Sequence, residues 1–163
     1  MKKISWTVPL VLTCVSIPFV GIAGIFPLMW LVAFPLVVLS LIFECILHYK
    51  CWEVLQPNQR RTTPGKAVGF QFIPFYNFYW VFVCYRGLQI DLGNAANKPN
   101  EGGLGTALAI VWICALIVSF VPILDFFAGA AYFVLWILFT RKVVADANSI
   151  LASSPPSLPP QPI

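Results

Sequence analysis

Four residues at the edge of an apolar run have the types and spacing to hold a metal: Glu44, Cys45, His48 and Cys51, in the pattern E-C-x-x-H-x-x-C. On a helix, positions 44, 48 and 51 share a face, as do 45 and 48, so carboxylate, imidazole and thiolate could converge on one ion or on haem. A closed structural zinc site takes four ligands. His48 is the sole histidine, and no second Cys/His cluster exists to complete a set. The pattern is therefore read as a helix leaving an apolar environment, with Glu44 and Glu53 as solvated helix-end charges; no metal or cofactor is assigned.

A second group, Gln71, Pro74, Asn77 and Trp80, lies inside a strongly apolar stretch. Pro74 has no N–H to donate and frees a backbone carbonyl. An amide in such a setting needs partners, because leaving it unsatisfied costs about 1–3 kcal/mol. Two readings follow. Asn77 and Gln71 can line a ligand path, as broken helices do in transporters, or Asn77 can bond the freed backbone and lock a bend. Asp125 could carry a proton within a membrane, but capping the helix after Pro122 is the simpler role. No Ser-His-Asp, Cys-His or paired-carboxylate arrangement is present, and Gly102-Gly103-x-Gly105 is too short for a nucleotide fingerprint. No catalytic residues are assigned and no enzyme is expected.

The elements that position these residues follow from composition. Of 163 residues, 60% are hydrophobic and 10% charged, where a soluble domain carries about a quarter charged. With a mean hydropathy of +0.85, most of the surface must face lipid, and the class is an all-α integral membrane protein. The apolar runs do not alternate, which excludes a membrane β-barrel. The ten basic residues form no stripe that would track a phosphate backbone, so nucleic acid is excluded as a partner. The five cysteines show no CxxC pair and are expected to be free thiols.

Ile4 to Phe43 holds no charged residue or histidine. One span needs about 20 residues, so this run predicts two, at about 6–22 and 27–49, turning around Pro18, Gly21, Gly24 and Pro27. A cleaved signal peptide is the rival, with Lys2 and Lys3 as its basic start and Gly21-Ile22-Ala23 as its cleavage site. The apolar run continuing into a second span argues against it. The lipoprotein-like Val11-Leu12-Thr13-Cys14 fits poorly. Leu104 to Thr140, with Asp125 its one charge, predicts two more spans at about 104–121 and 125–144. Gly105 and Ala109 make a small-xxx-small pair suited to close helix contact. Residues 1–150 thus form a single helical membrane domain, and the Pro-rich tail 151–163 is expected to be disordered.

Between the pairs lies the central motif, 62–88. Its 19 uncharged residues from Ala67 to Tyr85 include nine aromatics. If it spans, the chain has five helices and its basic residues divide six to four. If it re-enters or lies at the interface, all ten face the cytoplasm, which the positive-inside rule favours. The prediction is four transmembrane helices as two hairpins flanking a Pro/Asn-bent segment, with both termini cytoplasmic in a bacterial inner membrane.

Thr63-Pro64-Gly65-Lys66-Ala67-Val68-Gly69-Phe70, then Phe72-Ile73-Pro74-Phe75, Asn77, Tyr79-Trp80 and Arg86-Gly87-Leu88, make a recognisable core. Over about residues 50–92, with Cys51-Trp52-Glu53-Val54-Leu55-Gln56 at the helix end, the chain resembles bacterial multi-pass membrane proteins of unknown function. Some of these carry a GYF-like domain. No such stretch stands ahead of the first helix here, so its peptide-binding role is not carried over. The resemblance implies a fold and a motif, with Pro64, Gly65, Lys66 and Gly69 as motif residues, but no reaction. The expected function is non-enzymatic: a membrane assembly or scaffold component contacting the bilayer, copies of itself or other membrane proteins. The alternative is a small oligomeric transporter or channel lined by Gln71, Pro74 and Asn77.

Overall fold

The computed structural model describes residues 3–23, 28 and 30–153. Of the turn expected around Pro18, Gly21, Gly24 and Pro27, Pro18 and Gly21 instead belong to the first helix, Thr7–Ala23, whose apolar run carries on through them, while Gly24 and Pro27, the tail from 154 and the Asp125 side chain lie outside the described residues. Every regular element among them is helical: α1 (Thr7–Ala23), α2 (Trp30–Glu53), α3 (Pro64–Gly69), a 3-10 turn (Phe70–Phe72), α4 (Tyr76–Val81), a π-helical turn (Phe82–Arg86), α5 (Gly87–Ala95), α6 (Gly103–Val118) and α7 (Pro122–Ser153). Among the described residues two helices are long and apolar enough to cross a membrane, over Leu31–Glu53 and Phe126–Ser153. Thr7–Ile17 and Gly103–Val118 are shorter apolar helices.

The helices start and stop where local chemistry requires. α2 ends at Glu53, ahead of Pro57, which has no N–H to continue the ladder. Thr63 accepts from the Lys66 N–H and Pro64 fills the first turn of α3, where a missing N–H costs nothing. α5 closes with Asn97 at φ 55 and the Lys98 N–H bonded to the Gly93 carbonyl, the left-handed cap that Asn tolerates. α6 starts without a cap of its own, and Gln89 from α5 supplies one: its Oε1 accepts from the Gly105 N–H at 2.7 Å. Asn100 completes the join, donating to the Gln89 carbonyl and accepting from Gly102 N–H, which sits at φ 72.

α1 packs along α2 and α6 along α7, each pair a hairpin. The buried core gathers at one end, where the second half of α2 (Leu47, Cys51, Trp52) meets Tyr85, Leu88 and Leu92, Leu108 of α6 and Phe139, Val143 of α7. The opposite ends stay apolar and bare: Leu31 and Phe126 are 76% and 73% exposed, Phe120 90%. Exposed apolar surface of this extent marks a site of contact with lipid or with protein. α7 continues past the expected boundary near 144 to Ser153, because Val143, Val144 and Ala147 bury against the core.

Candidate functional site

The central motif folds as a descending short helix, a sharp turn and a longer returning helix. The turn is made by the backbone. Phe75 sits at φ 61, ψ −44, and the Tyr76 N–H donates to the Pro74 carbonyl at 2.7 Å, a γ-turn of positive φ. The Asn77 N–H then reaches the Ile73 carbonyl at 3.0 Å and starts α4. A bulky residue with a Cβ is strained in this conformation, by about 1–3 kcal/mol.

The two arms are tied at one atom. The Ala67 carbonyl accepts from Gln71 Nε2 at 3.2 Å, from the Trp80 indole N–H at 3.1 Å and from Cys84 Sγ at 3.5 Å. Gln71 also donates to Cys84 Sγ at 3.0 Å. Phe70 sits edge-on to Trp80 and to Tyr76, and Tyr76 stacks on Trp80, closing the wedge. Burial pushes the Cys84 thiol up to about 12, so it stands as a neutral S–H. Gln71 and Trp80 thus converge. Pro74 and Asn77 lie apart from them at the tip, where Asn77 Oδ1 is buried without a hydrogen-bond partner. Of the motif residues, Pro64 is buried at the first turn of α3, Lys66 is exposed, and Gly65 and Gly69 face open space.

The returning helix runs antiparallel to α6. Gly105 lies against the Tyr85 backbone, and Phe78 packs on Trp112 with centroids 6.1 Å apart. A β-carbon at Gly105 would stand 2.6 Å from the Tyr85 carbonyl, so only glycine permits this approach. At the base, Arg61 reaches Asp91 through Nε and Nη2, the latter at 2.7 Å, and anchors the loop before the motif.

Glu44 departs from expectation. It is not a solvated helix-end charge: its side chain is only 19% exposed, and Oε1 accepts from the Trp136 indole at 2.7 Å and lies 3.3 Å from His48 Nδ1. His48 is buried between Tyr85 and Phe139, because the face of α2 bearing 44, 48 and 51 turns toward α7 rather than out of the bundle. Glu53 is exposed, as expected. Glu44 Oε2, His48 Nε2 and Thr140 Oγ1 are buried without partners. Spacing placed Glu44, His48 and Cys51 on one face, but nothing local signalled Trp136 as their partner. Among the described residues no three His, Cys, Asp or Glu side chains group as a metal would need. The five cysteines are free.

No protein-family model, no curated protein and no solved structure matches the chain. The class rests on the fold alone: a small all-helical protein with apolar helices fit to lie in a membrane.

Proposed function

We propose that the chain is a multi-pass membrane protein with four spans, α1, α2, α6 and α7, and a re-entrant central motif. Charge placement supports this. Lys3 shares one cleft with Lys50 and another with Arg141 and Lys142, while Arg61 and Arg86 flank the start of α6. Cations thus collect at a single end of both hairpins, as the positive-inside rule requires of a cytoplasmic face. The pairing of the returning helix with α6 supports the dip. Tyr85 lies at Gly105 and Phe78 at Trp112, so the tip reaches about 10 Å or more along α6 from that end, roughly a third of the hydrocarbon thickness. Both termini would then be cytoplasmic in a bacterial inner membrane, in keeping with the resemblance of the motif. Reporter fusions at Asn97 and at the C-terminus should both read as internal; an external signal at either removes the four-span arrangement.

The role proposed is non-enzymatic assembly: the motif presents an aromatic tip to a second copy or to another membrane protein. The observation carrying it is that Phe72, Ile73, Phe75 and Tyr79 are all exposed, Phe75 by 87%, on a turn that holds backbone strain. A photo-crosslinking residue at position 72, in native membranes, should capture a protein adduct identifiable by mass spectrometry. Adducts to lipid only would remove the assembly role. One observation favours a second reading, a small carrier: the partnerless Asn77 Oδ1 near the tip. Solute flux in liposomes that falls with Asn77→Ala would select it, since a scaffold passes nothing.

A further inference from the structure

Ahead of α1, residues Lys3 to Trp6 run along the flank of α7 and leave a cleft of about 840 Å³ between the two. A reciprocal pair of hydrogen bonds holds this segment in place. The Ile4 N–H donates to Asn148 Oδ1 at 2.8 Å, and Asn148 Nδ2 donates to the Ile4 carbonyl at 3.0 Å. The upper wall is cationic: Lys3, Arg141 and Lys142 line it, with no carboxylate among the lining residues. Lys142 is engaged by Asp146 at 3.2 Å, whereas Lys3 and Arg141 have no ion-pair partner among the described residues. The lower wall is apolar. Leu138 lies one turn before Arg141, and Val134 one turn before that, 45% and 55% exposed along a single stripe of α7. Trp6, an indole of the kind that anchors at headgroup level, stands on the facing wall.

We infer that this cleft binds an anionic phospholipid, with its phosphodiester between Lys3 and Arg141 and an acyl chain along Leu138 and Val134. Scattered positive-inside charges need only be near headgroups. Here the cations come from two elements clamped together by Asn148, the guanidinium offers paired donors to phosphate oxygens, and the apolar floor begins directly beneath them. A free phosphate would match the cations but leave that floor uncovered, which is why a lipid is the occupant. The inference rests on the membrane reading above.

Native mass spectrometry of the full chain in detergent, titrated with phosphatidylglycerol or phosphatidylcholine, tests it. Wild type should retain phosphatidylglycerol at least tenfold more tightly. Lys3→Gln with Arg141→Gln should weaken it about thirty-fold, from roughly a fivefold share for each cation, while Lys98→Gln leaves it unchanged. Equal retention of the two lipids by wild type overturns the inference without recourse to any variant. So does displacement of phosphatidylglycerol by millimolar inorganic phosphate, which would make the site one for the free anion. Flotation with vesicles of each lipid separates the two levels. A protein that floats with both yet shows no preference loses only this site, and one that floats with neither loses the membrane reading as well.

Discussion

Replacing Phe75 with glycine should stabilise the protein. Phe75 holds φ 61, ψ −44 with a Cβ in place, and its ring is 87% exposed. Glycine occupies the positive-φ well as readily as its mirror image, so the substitution releases about 1–3 kcal/mol of strain. Against this stands the greater entropy of glycine in the unfolded chain, about 0.5–1 kcal/mol. An exposed ring has little intrachain packing to lose. The net expectation is a gain of about 0.5–2 kcal/mol. Phe75→Ala is the control, since it removes the ring but retains the strained Cβ, and it should stay within about 0.5 kcal/mol of wild type. Both can be read by reversible unfolding in mixed micelles with increasing dodecyl sulfate, followed by helical circular dichroism. If glycine destabilises the fold, or alanine stabilises it equally, the strained-turn account is wrong. Under the assembly reading, both variants also lose the crosslink at position 72, so stability and assembly should move in opposite directions for Phe75→Gly.

Other expectations follow from contacts elsewhere. Gly105→Ala pushes a β-carbon against the Tyr85 carbonyl and should cost about 1–3 kcal/mol, seen as a lowered melting temperature. Trp136→Phe strips Glu44 Oε1 of its donor and should cost about 1–3 kcal/mol; adding Glu44→Leu should recover part of the loss, and strict additivity in the double-mutant cycle would contradict the pairing. Cys84, its thiol raised to about 12 by burial, should resist maleimide at pH 9 in the folded protein and react after denaturation, as intact mass would report. Gln89→Ala should cost about 1–2 kcal/mol by uncapping the Gly105 N–H, with faster amide exchange at the start of α6.

Much of this architecture was legible from local chemistry. Helices expected at about 6–22, 27–49 and 104–121 appear as Thr7–Ala23, Trp30–Glu53 and Gly103–Val118, of which the second is long and apolar enough to cross a membrane, because apolar run length and turn residues are properties of the chain itself. The bend at Pro74 was legible too, but not its means. A γ-turn at Phe75 holds it, while the Asn77 side-chain oxygen stays without a partner, and no propensity would place a phenylalanine at positive φ.

Sequence alone determined how apolar these helices are and which ends carry charge, since hydropathy and charge can be summed residue by residue. Only the tertiary structure decided that Glu44 meets Trp136 across 92 positions and that Ile4 meets Asn148 across 144. The physical reason is that helix faces are nearly uniformly apolar here, so the pattern along each helix says little about which side turns inward. Side-chain packing at one crowded end, around Tyr85, Phe139 and Gly105, fixes that rotation, and with it every long-range polar pair.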